Sequence, residues 1–307
     1  MATILITGGT GMVGQELTSL LLSKGYDVIW LSRSAGEKQV NGKSIRIASW
    51  NLKEQTIDET VIRQADHIIH LAGAGVADQR WTAQRKQEIL DSRTQSSALI
   101  VKALREIPNK VQSVISASAI GWYGPDEDNK LRTSFTEEMP AYPDYLGSTC
   151  KAWEESIGPV TDLGKRLVKL RIGIVLSAKG GALAEFKKPL KGGMAAILGS
   201  GKQMISWVHV ADLCRMFLYA IENESMQGTF NAVAPNPVSN KELTLTLAKQ
   251  KNGLWYIPFY VPAFLLKIIL GEMSIEVLKS ATVSSRKIEQ QGFRFEYPTI
   301  QLALRDL

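Results

Sequence analysis

The sequence predicts an α/β fold, a doubly wound parallel sheet followed by a smaller C-terminal domain, and three observations carry that expectation. Short β-branched runs alternate with helical patterns through the first half, as repeated βαβ units require. The chain opens on "ILITGGTGMVG", a strand, then glycines at 8, 9, 11 and 14, then a helix. Its 307 residues, 45% hydrophobic and 21% charged, suit one large globular domain or one with a smaller partner.

Strands are expected at 3–7, 27–31, 45–48, 67–71, 113–117, 167–172 and 229–233, where apolar and β-branched residues cluster. Helices are expected near 12–24, 83–106, 146–160 and 210–221, the last an amphipathic run after Trp207. Residues 180–203, "GGALAEFKKPLKGGMAAILGSGKQ", are glycine-rich and irregular, which fits a lid over a site better than a simple connection. After Pro235 the composition shifts again. The division expected is therefore 1–177 as the nucleotide-binding domain, with 203–233 returning to it, and 178–202 with 234–307 as a substrate-binding lid and small domain.

Composition excludes several classes. The formal charge of +6 is spread along the chain without a Lys/Arg run, so no nucleic-acid partner is expected and an anionic small molecule fits better. Cys150 and Cys214 stand far apart with no CxxC or Cys/His spacing, so neither a disulfide scaffold nor a metal site is expected, and a cytoplasmic location is the default. No signal peptide is evident at the N-terminus. Residues 255–271, "WYIPFYVPAFLLKIILG", are too short to span a bilayer and carry Pro258, Pro262 and Lys267. An apolar strand followed by a buried helix opening at Pro262 is expected there, and no membrane partner. Association with a membrane through this segment stays as a third reading, tested by solubility without detergent. The sequence is compatible with an oligomer and does not indicate one.

Glycine is needed where the backbone turns sharply and where it approaches a pyrophosphate, while the helix N-terminal N–H groups receive the phosphate charge. The opening motif is thus a Rossmann-type dinucleotide site. An NAD site would place Asp or Glu at the end of the second strand; "VIWLSRSAGEK" has Ser32, Arg33 and Ser34 instead, which suits the 2′-phosphate of NADP(H).

With "HLAGAG" (70–75) after the fourth strand and "ISASAIGWYG" (115–124) at the fifth, the chain resembles the extended short-chain dehydrogenase/reductase superfamily. More narrowly, it resembles the atypical epimerase family labelled NADP-dependent sugar-nucleotide epimerase or cell-division-inhibitor-like protein. That likeness rests on "RWTAQRKQEILDSR" (80–93), "CKAWE" (150–154), "LRIGIVLSAKGGAL" (170–183), "GSGKQMISWVHVADL" (199–213) and "GFRFEYP" (292–298), which run in the family order over nearly the whole chain. The resemblance implies cofactor contacts at Gly8, Gly11, Met12, Val13, Ser32, Arg33, Leu71, Ala72, Gly73, Glu88, Arg93 and Val175. A carboxylate such as Glu88 can accept from ribose hydroxyls, and a guanidinium such as Arg93 can bind pyrophosphate; the same stretch can also be an exposed charged helix face.

In the superfamily a serine orients the substrate oxygen, a tyrosine exchanges the proton, and a lysine four residues on lowers the tyrosine pKa. Ser118 fits the first role. Four before Lys151, however, stands Gly147, and the nearest tyrosine, Tyr145, is six before it, about 120° around a helix. The catalytic candidates are therefore Ser118, Lys151, Tyr145 and Tyr123, the last in the loop after the fifth strand, where a tyrosine in such a stretch more often serves packing. Trp81, Gln203 and Trp207 are expected to bound the substrate pocket. His209 and Asp212 read as structural, and Cys150 as a small buried hydrophobe. Two functions stay open: an NADP(H)-dependent oxidoreductase or epimerase acting on a hydroxyl or carbonyl carbon of a small molecule such as a sugar nucleotide, and a non-catalytic NADP(H)-binding sensor or interaction protein.

Overall fold

A computed structural model of the chain describes residues 1–129 and 133–307. The first part runs β1 (Thr3–Thr7), α1 (Met12–Ser23), β2 (Asp27–Ser32), β3 (Gly36–Val40), β4 (Lys43–Asn51), β5 (Thr56–Ile57), α2 (Glu59–Gln64), β6 (His67–His70), α3 (Ala83–Glu106) and β7 (Ser113–Ala119). It continues through α4 (Tyr145–Ile157), β8 (Arg166–Ile172), β9 (Ile174–Leu176), α5 (Ala182–Leu190), β10 (Met194–Leu198), β11 (Met204–Ile205), β12 (Trp207–His209), α6 (Val210–Glu222) and β13 (Gly228–Ala232). The remainder is β14 (Val238–Ser239), α7 (Asn240–Asn252), β15 (Ile257–Val261), α8 (Ala263–Leu270), α9 (Ser274–Leu278), α10 (Arg286–Gln290) and α11 (Ile300–Asp306).

The central sheet is ordered β13-β8-β7-β6-β1-β2-β4-β3, parallel except for the β3–β4 hairpin, and β5 pairs antiparallel with β4 off this path. Its central strands β1, β6 and β7 are buried on both faces because helices cover both, whereas the edge strand β3 is polar and exposed. On one side Ile4 and Ile6 pack with Leu17 and Leu21 of α1 and Phe217 of α6; on the other Leu5 packs with Ile62 of α2 and Ile100 of α3. Burying each such side chain contributes roughly 1.5–3 kcal/mol. The buried Trp30 indole donates to Thr18 Oγ1 at 2.8 Å, so its polar atom costs nothing. The chain leaves β1 for β2 on one side and returns to β6 on the other, so a crevice opens at the carboxyl ends of β1 and β6, where dinucleotides bind in such sheets.

Two expectations are corrected. Residues 180–203 are not irregular: they hold α5 and β10, and β10 pairs in parallel with β15. Glycines and Pro189 hid that order from a pattern search. Residues 255–271 do form a strand and a helix, but the helix is not buried. Only Leu266 of α8 is covered, whereas Phe264 and Ile268 are 65% and 66% exposed. The apolar run lies on the surface of a lobe whose own core is Leu183, Leu190, Leu243, Leu247, Ile300 and Leu304.

Candidate dinucleotide and substrate site

The glycine turn after β1 is forced into shape by its neighbours. Gly8 adopts φ +73°, and a Cβ there would sit 3.0 Å from the Leu71 carbonyl carbon in the loop after β6. At Gly14 a Cβ would lie 2.4 Å from the Gly8 oxygen, so only glycine lets α1 start this close to the strand. The N-cap of α1 is Gly11, with no side-chain cap, which leaves first-turn N–H groups open to an external anion. Met12 reaches Gly181, with its Cε 3.4 Å from that residue's Cβ position, and Lys179 is ion-paired with Glu16. Val13 is half-buried at the same turn and Val175 follows on β9, so the expected contacts from 12–13 and 175 gather at one end of α1.

A buried pair fixes the base of this crevice. Thr7 Oγ1 accepts from the N–H groups of Leu71 and Ala72, both at 3.1 Å, and lies 2.7 Å from His70 Nδ1, while His70 Nε2 meets the hydroxyls of Ser97 and Ser96. With its lone pairs engaged, Thr7 directs its proton to Nδ1, which leaves the proton on Nε2. Burial, with a smaller push from Arg93, lowers the His70 pKa to about 3, so the ring stays neutral. Nothing in the sequence motif singled out His70.

Arg93 stands behind Gly73, with its Cζ 3.2 Å from that residue's Cβ position. Its Nη1 donates to the carbonyls of Ala74 and Ile89, its plane lies 4.9 Å from the Trp153 ring, and among the described residues no carboxylate is ion-paired with it. An unneutralised guanidinium beside an uncapped helix start suits a pyrophosphate. Ser32 ends β2 half-buried, followed by exposed Arg33, also without an ion pair among the described residues. Glu88 is less free: Arg85 Nη1 holds it at 2.7 Å.

The catalytic candidates separate. Ser118 is buried and donates to Glu154 Oε1 at 2.7 Å; Arg171 donates to the same carboxylate through Nε at 2.7 Å and Nη2 at 3.1 Å, and Lys169 Nζ lies 3.4 Å away. Tyr123, read as a possible acid, is instead enclosed. Its hydroxyl donates to Asn231 Oδ1 at 2.8 Å, accepts from Arg171, and is pushed up to about 12 by burial. Tyr145 is spent on the Lys86 carbonyl at 2.9 Å, with its pKa raised by burial. Lys151 points to solvent, 3.8 Å from Glu155, and does not meet either tyrosine. Burial pushes the Cys150 thiol up to about 12, so it is no nucleophile.

Gly147 explains the missing tyrosine. A Cβ there would lie 2.1 Å from the Tyr142 carbonyl oxygen, and a Cβ at Gly124 would lie 2.3 Å from the Tyr142 ring. The segment before α4 is wedged between two glycines and leaves no room for a side chain.

Of the expected substrate wall, Trp81 stands on Tyr145 edge-to-face at 5.0 Å, with Lys86 Nζ 5.0 Å from the Tyr145 ring, and forms a half-exposed aromatic corner. Gln203 and Trp207 are placed differently from the expectation. Gln203 Nε2 donates to the Leu198 carbonyl and the Trp207 indole to the Asn236 carbonyl, both buried, so they brace the lobe from inside. Asp212 accepts from the N–H groups of Glu296 and Tyr297, and His209 stacks on Tyr297, so these two pin the C-terminal segment. The Glu154–Arg171 pair was missed in the sequence. The signal was there: Cys150, Trp153, Glu154 and Ile157 share the buried face of α4, so a carboxylate falls on an apolar stripe.

A parallel sheet with an open glycine turn at its switch point, flanked by unpaired arginines, defines a Rossmann-type dinucleotide-binding protein. A family model described as the NAD dependent epimerase/dehydratase family matches residues 4–157, and a domain of unknown function matches 261–307. The chain is 36% identical over 305 residues to the epimerase family protein YfhF of Bacillus subtilis, covering 99% of this chain and 97% of that one. It is 35% identical over 311 residues to an epimerase family protein of Staphylococcus aureus, covering 100% and 99%. The crystal structure of the human epimerase family protein SDR39U1 (isoform 2) with NADPH superposes with a TM-score of 0.86 at 26% identity, over 99% of this chain and 98% of that one. A Thermus thermophilus UDP-glucose 4-epimerase complex with NAD shares the fold, with a TM-score of 0.77 at 19% identity over 99% and 98%. The chain belongs to the NAD dependent epimerase/dehydratase family.

Proposed function

We propose that the protein is an NADP(H)-dependent oxidoreductase or epimerase in which Ser118 and Glu154 replace the tyrosine–lysine pair. The observation that carries this is the 2.7 Å bond from the Ser118 hydroxyl to Glu154 at the carboxyl edge of the sheet. When bound, the nicotinamide takes or returns the hydride. Ser118 accepts the substrate hydroxyl proton as it passes its own to Glu154, and the flow reverses on reduction. Arg171 and Lys169 hold the carboxylate in place. Arg93 and the α1 N-terminus hold pyrophosphate, Arg33 the 2′-phosphate. Residues 178–202 and 234–307 form the substrate-binding part over the 1–177 and 203–233 sheet, with the Trp81–Tyr145 corner as one wall; a sugar nucleotide is the substrate class the family resemblance implies.

The test is deuterium transfer from 4-deuterated NADPH across a panel of carbonyl compounds and sugar nucleotides. We expect transfer to at least one substrate, with Glu154→Gln and Ser118→Ala each lowering kcat about 100-fold or more while NADPH affinity stays within a few-fold. Binding of NADPH with no transfer to any substrate would sink the proposal.

A second reading has its own support in the closed space at Gly147 and the enclosed Tyr123: a non-catalytic sensor of the NADP(H) redox state. It requires a partner that distinguishes NADP⁺ from NADPH, and equal partner binding in both states would count against it.

A further inference from the structure

The lobe built on β10 and β15 carries an apolar face with nothing over it. Trp255 is 86% exposed, and Ile257, Tyr260, Phe264, Ile268 and Ile269 are each more than half exposed. They lie within fifteen consecutive residues, but on β15 Ile257 and Tyr260 fall on opposite sides of the strand: Ile257 is in register with exposed Met194 and Tyr260 with buried Ile197. On α8 the four outward residues 264, 265, 268 and 269 fall within about 140° of arc, opposite buried Leu266. Trp255, Ile257 and the outward residues of α8 expose roughly 800 Å² of apolar surface between them, against the roughly 300–600 Å² largest patch of a typical monomer.

The surroundings indicate what covers it. Residues 186–206 contain Lys187, Lys188, Lys191 and Lys202, and residues 243–271 contain Lys249, Lys251 and Lys267, with no acidic residue in either stretch. Of the acids bordering them, Glu185 and Glu272 are already ion-paired, with Lys188 and Lys86, and Glu242 forms no ion pair among the described residues. Burial and then the charge of Lys251 both lower the Lys187 pKa, a sign that Lys187 and Lys251 lie near each other. A second copy on this face would bring lysines against lysines. Sheet extension across two copies is also blocked, because Pro258 and Pro262 remove N–H groups from the strand and its end. Among the described residues no helix is long and apolar enough to cross a membrane, and the eight residues of α8 reach only about 12 Å.

We propose that the exposed apolar side chains of Trp255, Ile257, Phe264, Ile268 and Ile269 dock on the surface of an anionic lipid bilayer, with the surrounding lysines on the headgroups. Aromatic and aliphatic side chains enter the headgroup boundary, and lysines extend their charge to anionic lipid. The proposal does not depend on the reaction proposed above, although Arg80, next to Trp81, donates to the Ile268 carbonyl of α8.

Flotation of the full chain with vesicles of phosphatidylcholine, with or without phosphatidylglycerol, tests it. We expect partition to the anionic vesicles at least about tenfold above the neutral ones, falling as salt screens the lysines. The double variants Phe264→Ser/Ile268→Ser and Lys251→Glu/Lys267→Glu should each weaken it about tenfold or more, with NADPH affinity unchanged in the same samples. Absence of partition at low salt, equal partition to both vesicles, or wild-type partition by either double variant overturns the proposal. So does a dimer that Phe264→Ser/Ile268→Ser abolishes in a protein that ignores vesicles.

Discussion

Helices α1 and α4 both begin at the carboxyl edge of the same sheet, and their first turns are built in opposite ways. At α1 the N-cap is a glycine, no side chain accepts from the first-turn N–H groups, and an unpaired Arg93 stands across the crevice. At α4 Asp144 closes the turn itself, accepting from the Gly147 N–H at 2.7 Å. An open helix start waits for an external anion, whereas a capped one is already satisfied. The difference teaches that the two helix starts are built for different ends: α1 leaves its first N–H groups open, as a phosphate-binding turn requires, whereas α4 is closed by Asp144 and has no room for a side chain at Gly147.

The strongest way to break this comparison is to write the tyrosine back. Gly147→Tyr must displace the Tyr142 carbonyl, so we expect a loss of about 3 kcal/mol or more in urea unfolding and no gain in hydride transfer. A stable, more active variant would show that α4 had merely lost a side chain. On the α1 side, Arg93→Met removes the unpaired guanidinium, and NADPH binding by fluorescence titration should weaken by about 1.5–3 kcal/mol, near 10- to 100-fold, with the fold retained. Unchanged affinity would remove Arg93 from the cofactor site.

The third prediction concerns pH. Folded His70 has its pKa pushed down to about 3, against about 6.5 when unfolded, so below pH 6.5 the unfolded chain binds a proton that the folded chain refuses. Stability is therefore lost as pH falls from 6.5 toward 3, and going from pH 7 to 5 should cost about 2 kcal/mol from this residue. His67 and His209 are lowered mainly by burial and act in the same direction. Urea midpoints that do not move over this range would contradict a neutral His70 under the glycine turn. The smallest effect is expected for Asp144→Ala, about 1 kcal/mol from the lost cap with NADPH affinity unaltered, because α4 does not hold the phosphates.

Much of the sheet was legible from the chain alone. The predicted bounds of β1 and α3 match the observed Thr3–Thr7 and Ala83–Glu106, because β1 is a short β-branched run ended by glycines and α3 is a long run without Gly or Pro. The polar strand β3, GEKQV, was missed because nothing in its composition marks a strand; it exists only by pairing with β4. Likewise α5 and β10 were concealed by glycines and a proline, and α8 was placed in the core because its composition is that of a core helix.

By itself the sequence determined the doubly wound sheet, the glycine turn, the arginine after β2 and the absence of a tyrosine at position 147. Those features are local, set by backbone freedom, periodicity and charge within a few residues. Only the tertiary structure decided that Tyr142 fills the space beside Gly147, that Glu154 and Arg171 meet Ser118 from different elements, and that the most apolar helix faces outward. Each of these depends on which surfaces remain after residues far apart in the chain have packed, and one-dimensional patterns do not record that.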